Sequence, residues 1–336
     1  MTDFSILIQD WYRLNKRDLP WRESESPYNI WISEIILQQT QVKQGLSYYY
    51  KFIEQYPNIT DLANAKEDEV LRLWQGLGYY SRARNMHYAA SQVLINFNGV
   101  FPTSHKDILS LKGVGDYTAA AVSSIAYNLP HAVVDGNVYR VLSRVFLINT
   151  PINSPKGKKE FSELAQNLLD VKQPGNHNQA LMEIGALICK PKNPNCIACP
   201  LNEKCLAFSH QTMLNYPTKL KKIKIRNRYF NYFVITDKKS IVIKKREASD
   251  IWKGLYDFPL FESDKKLDKI DDNSYLDKEF KHILTHQHIF ASFWIQEISS
   301  ITEKTDELII KIKDLDNYPL PQLLVKFLNQ SDYFNR

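Results

Sequence analysis

Apolar residues recur at helical spacing through roughly the first two thirds of the chain. Ile6, Ile8, Trp11, Tyr12 and Leu14 form one amphipathic stripe near the start. After Pro27, the run from Ile30 to Val42 sets Ile35, Ile36 and Leu37 among glutamines and one glutamate, Glu34. Glu67 to Trp74 opens another helix, closed by Gly76 and Gly78. Asp107 to Leu111 and Asp116 to Tyr127 pair around Lys112-Gly113-Val114-Gly115, and further helices fit Val138 to Phe146, Lys158 to Leu169 and Asn178 to Ile188. The period changes near Asn215. Tyr229 to Ile235, Ile241 to Lys245 and Phe290 to Glu297 read as β-strands, Pro321 to Leu328 as a late helix, and the polar residues 262–278 as a surface loop.

This pattern predicts a mainly α domain over residues 1–210, a basic linker over 211–228 and a smaller α+β domain over 229–336. A length of 336 residues suits two domains, each able to bury its own core. Lys219, Lys221, Lys222, Lys224, Arg226 and Arg228 make the linker basic, and the net charge of +6 is compatible with a polyanionic partner without requiring one. No apolar run approaches the length of a membrane span, and Met1-Thr2-Asp3-Phe4-Ser5 lacks the opening of a secretory signal, so no membrane partner and a cytoplasmic location are expected.

The chain's four cysteines, Cys189, Cys196, Cys199 and Cys205, all fall within 17 residues, spaced Cys-x6-Cys-x2-Cys-x5-Cys. Such a cluster is unlike a set of disulfides and reads as a metal site. Four thiolates suit a structural zinc or a [4Fe–4S] cluster, although only Cys196 and Cys199 form the tight knuckle usual for zinc. Lys190, Lys192 and Lys204 lie among them, placed to meet phosphates or to offset a cluster's negative charge.

Residues 111–121 read as a helix–hairpin–helix. The glycines of Gly113-Val114-Gly115 let the turn take positive φ and let backbone approach a ligand, and the free N–H groups of the next helix suit a phosphate. Downstream, Val133-Val134-Asp135-Gly136-Asn137 places Asp135 either as a plain N-cap or as a carboxylate aimed into a cleft. Glu34 is either a solvent-facing helix residue or, beside Ile30, Trp31 and Ile35, an acid whose apolar setting keeps its proton.

Leu19-Pro20-Trp21-Arg22, Ser33 to Val42, Gly76-Leu77-Gly78-Tyr79-Tyr80, the hairpin, Val134 to Val138 and the cysteine loop 189–205 follow one another in an order that resembles the MutY-type adenine DNA glycosylases of the helix–hairpin–helix, or endonuclease III, superfamily. The resemblance implies a [4Fe–4S] cluster on the four cysteines and, as partner, double-stranded DNA carrying A opposite 8-oxoguanine or G, bound by a monomer. Hydrolysing a purine N-glycosidic bond needs a proton on the leaving base and stabilisation of a cationic sugar, a two-carboxylate logic. By resemblance Glu34 protonates adenine and then activates water, Asp135 stabilises the sugar, and Tyr117 and Asn137 support them. Tyr117 stands where strand-cutting relatives carry a nucleophilic lysine, which implies a monofunctional enzyme. Trp21, Arg22 and Gln179 line the implied adenine pocket, Gln39, Thr40 and Tyr79 lie near the lesion, and Gly113, Val114 and Gly115 hold a phosphate.

Ile251 to Pro259 resembles the family's Nudix-like C-terminal domain, without the acidic run of a Nudix hydrolase, so recognition rather than hydrolysis is expected there. Leu284, Thr285 and His286 align with a lesion-touching loop that is usually Phe-Ser-His. Thr285 keeps the hydroxyl and Leu284 loses the ring. His282, His286 and His288 lack the carboxylates of a metal site. The competing readings are an endonuclease III-like glycosylase/lyase, disfavoured by Tyr117, and a non-catalytic iron–sulfur DNA-binding protein, disfavoured by the pairing of Glu34 with Asp135.

Overall fold

A computed structural model describes residues 3–220, 225–247, 250–302 and 305–334. Lys221, Lys222 and Lys224 of the basic stretch lie outside the described residues. The helices run in the order α1 (Asp3–Asn15), α2 (Pro20–Glu23), α3 (Pro27–Leu37), α4 (Val42–Gln55), α5 (Ile59–Asn64), α6 (Glu67–Leu73), α7 (Ser81–Asn96), α8 (His105–Ser110), α9 (Asp116–Tyr127), α10 (Gly136–Val145), α11 (Pro155–Leu168), α12 (Pro174–Leu187) and α13 (Leu206–Ser209). They are followed by strands β1 (Arg226–Thr236), β2 (Ser240–Lys245), β3 (Tyr256–Asp257), β4 (Leu260–Ser263), β5 (Tyr275–Ile283), β6 (Gln287–Glu297) and β7 (Leu308–Lys311), then helix α14 (Gln322–Gln330). Among the described residues, no helix is long and apolar enough to cross a membrane.

The chain divides into two compact units, residues 1–60 with 89–221, and residues 61–88 with 222–336. The first is helical. Phe4, Ile8 and Tyr12 of α1 pack with Val138, Val141, Leu142 and Val145 of α10, Phe161 of α11, and Ala180, Leu181 and Ile184 of α12. The buried stripe of α1 is therefore offset from the expected one. Phe4, Ile8 and Tyr12 recur every fourth residue, whereas Ile6 and Leu14 are exposed. The helix expected from Ile30 to Val42 is two helices. Gln38 leaves helical geometry with ψ 111°, Gln39 takes φ 57°, and α4 restarts at Val42. Of the two hairpin glycines only Gly113 takes positive φ, at 79°, while Gly115 is the extended N-cap of α9. The stretch expected as a linker is anchored at both ends. Ile152 donates its N–H to the Thr218 carbonyl, Leu220 donates to Asn153, and Arg226 already begins β1.

The second unit is built on a mixed sheet in the order β3-β2-β1-β6-β5, with β4 also on β1 and β7 on β2. β1 and β6 pair in parallel from Arg226 opposite Gln287 to Thr236 opposite Glu297. Phe230, Tyr232 and Val234 alternate inward along β1. They join Phe293 and Ile295 of β6 and Leu323, Leu324 and Phe327 of α14, with the Phe293 and Phe327 rings stacked 4.0 Å apart. The polar segment expected as a loop over 262–278 contributes the end of β4 and the start of β5. β5 is half exposed along its length, so it pairs through backbone without an apolar alternation to betray it.

Residues 61–88 belong to this unit, although their helical pattern groups them by sequence with the first. Asp68 of α6 accepts from Lys245 Nζ at 2.6 Å and from the Tyr256 hydroxyl at 2.9 Å. Gln75 accepts the Leu320 N–H at 3.1 Å, and the buried Tyr80 hydroxyl donates to the Leu320 carbonyl.

Candidate active site

One cleft of about 540 Å³ in the helical unit collects Trp21, Arg22, Glu34, Thr40, Tyr117, Asp135, Asn137 and Gln179. That volume suits a small organic group. Glu34 reaches it from α3, whose residues Ile30, Trp31, Ile32, Ile35 and Ile36 are all buried, so Glu34 is only 8% exposed. The Tyr117 hydroxyl donates to Glu34 Oε2 at 2.7 Å. Burial pushes the Glu34 carboxyl up to about 7. The Tyr117 bond works against that shift, the charge of Asp135 adds to it, and Arg22 draws it back.

Asp135 fills both roles open to it. It caps α10, accepting the N–H groups of Asn137 at 2.9 Å and Val138 at 2.7 Å, and the same carboxylate lines the cleft. The Asn137 side-chain amide donates to its other oxygen at 2.8 Å. Burial raises the Asp135 carboxyl, and these donors pull the other way. Asp135 is thus the carboxylate supplied with donors that favour its charge, and Glu34 the one that keeps a proton near neutrality.

Sequence reasoning missed what holds the walls. Glu183, fully buried on α12, binds the Arg17 and Arg22 guanidinium groups, each through an Nη2–Oε2 contact of 2.7 Å. Burial opposes its ionisation, but the bonds from Arg17 and Arg22 outweigh that and hold the carboxyl down at about 2. Arg22 therefore faces the cleft with its guanidinium already engaged. Gln179, Met182, Glu183 and Ala186 all line the cleft at i, i+3, i+4 and i+7, a spacing visible in the sequence. Arg140 was also missed. It donates to Asn137 Oδ1 at 2.8 Å and to the Cys189 carbonyl at 2.6 Å. Gly185 makes room for this corner, since a Cβ there would come within 2.5 Å of the Asn137 Cβ.

The hairpin turn closes with Val114 N–H on the Leu111 carbonyl, and no side chain caps α9. A Cβ on Gly115 would meet nothing, so that glycine leaves open space before the helix N-terminus. The four cysteines line one cavity with Val141, Val145 and Leu201. Among the described residues, no three His, Cys, Asp or Glu side chains stand close enough to share a single metal ion. Burial pushes the Cys199 thiol up to about 12 and raises Cys196 and Cys205, so thiolates there need strong positive compensation. Arg144, 2% exposed, supplies some by donating to Cys189 Sγ at 3.3 Å. Lys204 is instead paired with Asp3 at 2.8 Å.

The remaining expected residues lie outside the cleft. Gln39 is exposed at the α3–α4 turn. Tyr79 and Thr285 meet within the second unit, their hydroxyls 2.6 Å apart. Tyr79 is half exposed at φ 48°, with the Arg82 guanidinium 5.9 Å from its ring. Thr285 and His286 are exposed in the tight β5–β6 turn closed by Leu284 N–H on the Gln287 carbonyl, and Leu284 packs against the sheet's core.

A buried carboxylic acid facing a capped carboxylate, beside a helix–hairpin–helix, defines the class. Residues 32–169 match the HhH-GPD superfamily of base excision DNA repair proteins, and residues 231–330 match the NUDIX domain. A solved thermostable thymine-DNA glycosylase is 32% identical, with a TM-score of 0.57, covering 62% of this chain and 95% of its own. An adenine DNA glycosylase of Buchnera aphidicola from Schizaphis graminum is 37% identical over 88% of this chain and 86% of its own length. Another, from the Baizongia pistaciae strain, is 36% identical over 99% and 97%. The chain belongs to the adenine DNA glycosylase family.

Proposed function

We propose that this protein removes adenine mispaired with 8-oxoguanine or guanine in duplex DNA, by hydrolysis that leaves an abasic site. The observation that carries the reading is the pair of unlike carboxyls in one cleft, Glu34 with its pKa raised to about 7 and Asp135 held by three donors. The target nucleotide leaves the stack and enters the cleft. Glu34 donates its proton to the departing base and, once ionised, takes a proton from the attacking water. The Asp135 carboxylate stabilises the positive charge that develops on the sugar. Tyr117 orients Glu34. It brings a phenol that burial keeps protonated, not an amine, so no Schiff base forms and the strand stays intact. Gln179 and Trp21 receive the base, and Asn137 orients Asp135. Arg22 holds the wall through Glu183.

Gly113, Val114 and Gly115 hold a backbone phosphate without reading sequence. Gln39 and Thr40 in the first unit, and Tyr79, Leu284, Thr285 and His286 in the second, serve the opposite strand. The four cysteines hold a [4Fe–4S] cluster, a group whose spread of irons fits thiols arranged around a cavity rather than around one ion. When bound it organises the 189–205 loop, and no step of the hydrolysis passes through it. The protein acts as a cytoplasmic monomer.

The test is Glu34→Gln in single turnover. Binding to the mispaired duplex should stay within about threefold while excision falls at least about a thousandfold, as for loss of an interaction made in the transition state. Excision at the wild-type rate would remove Glu34 from the mechanism.

A further inference from the structure

A carboxamide carries a donor and an acceptor on one plane, so what Gln179 can read depends on which end faces the cleft. Tyr12 settles that. Its hydroxyl donates to Gln179 Oε1 at 3.2 Å. Burial raises the phenol's pKa above its ordinary value, so the donor proton is retained. Tyr12 is 5% exposed and its ring lies near two cations, with the Arg22 guanidinium 5.4 Å and Lys16 Nζ 5.9 Å from its centroid. Arg22 is fixed by Glu183, which stands one helical turn beyond Gln179 on α12. The contacts close a loop from Gln179 to Tyr12, to Arg22, to Glu183 and back to α12.

We propose that Tyr12 is a positioning residue for base recognition, holding the Gln179 carbonyl back so that the amide NH₂ group faces the cleft as a donor. This rests on the functional reading above and deepens it. An inward NH₂ requires an acceptor on the entering base, which adenine offers at its ring nitrogens N1, N3 and N7. Without Tyr12 the carboxamide can turn over and present its carbonyl to those nitrogens, which repels them.

The experiment is single-turnover adenine excision by the full chain with Tyr12→Phe, Gln179→Leu and the double variant. Tyr12→Phe keeps the ring and removes the one donor. It should slow excision about tenfold, the scale of one hydrogen bond to a neutral partner, with the duplex Kd unchanged. In the Gln179→Leu background the same change should cost less than about twofold, because Tyr12 acts only through Gln179. A tenfold loss in both backgrounds makes Tyr12 a scaffold residue and overturns the proposal, as does no loss in either. A wild-type chain that releases no adenine overturns the functional reading itself, and that result appears before any variant is compared.

Discussion

The Tyr117 hydroxyl donates to Glu34 Oε2 at 2.7 Å, and this single bond opposes the burial that keeps Glu34 protonated. Burial alone would raise the acid further. The bond trims its pKa to about 7, close to the working pH at which a general acid serves best.

The excision rate should therefore fall as pH rises through 7, because the reactive form of Glu34 is the protonated one, and fall again at acid pH where Asp135, its carboxyl raised by burial, takes a proton. Tyr117→Phe removes the interaction that favours the carboxylate, so the falling limb should move to higher pH. A pH–rate profile of the two proteins checks this. An unmoved or lowered limb contradicts the assigned role of the bond.

The same acid should leave a mark on stability. Its folded pKa of about 7 lies above an unfolded value near 4.5, so the native state binds the extra proton. Stability then falls as pH rises from about 4.5 to about 7 and is level beyond. A shift of this size is on the order of 3 kcal/mol. Glu34→Gln cannot ionise, so its urea midpoint should exceed the wild-type midpoint above pH 7 and the two should converge near pH 4. A variant less stable than wild type at pH 8 would contradict the burial of an unneeded charge.

Iron should be present at about four atoms per chain in anaerobically purified protein. Arg144→Met keeps much of the buried volume but removes the cation beside Cys189 Sγ, so the cluster should be lost faster on exposure to chelator. The fading of the cluster's visible absorbance over time reads the loss. Stoichiometric zinc without iron would contradict the assignment of the cysteine loop.

Tyr79 and Thr285 share a hydroxyl contact inside the second unit, so neither should act alone. Tyr79→Phe and Thr285→Ala should each reduce the preference for A opposite 8-oxoguanine over A opposite G by up to about tenfold, and the double variant should do no worse than the stronger single. Multiplicative losses at fixed salt would show that the two hydroxyls serve separate contacts.

The legible parts of this chain were those written in local spacing. Asp135 before Gly136-Asn137, the Gly113–Gly115 turn and the Cys189–Cys205 cluster each announce a geometry within a few residues, and the structure brings Glu34, Tyr117, Asp135, Asn137, Trp21, Arg22, Thr40 and Gln179 to one cleft. What stayed hidden depends on distant partners. Glu183 reads as one more helix glutamate until Arg17 and Arg22 arrive from 166 and 161 residues away. Arg144 lies in an ordinary amphipathic helix, and only tertiary packing sets it against Cys189. Strand β5 escaped because an edge strand with both faces partly wet needs no apolar alternation. Glu67 to Trp74 reads as a helix, and Glu67–Leu73 forms one; that residues 61–88 pack with the C-terminal sheet is decided by Lys245, Tyr256 and Leu320, far along the chain.

The most direct measurement is excision by the wild-type chain on a duplex with adenine opposite 8-oxoguanine, scored for free base and for strand breaks before and after alkali, beside duplexes with A opposite G and with thymine glycol. Free adenine with breaks only after alkali, fastest opposite 8-oxoguanine and absent for thymine glycol, is the predicted result. Breaks before alkali, or release of the oxidised pyrimidine in place of adenine, would contradict the account.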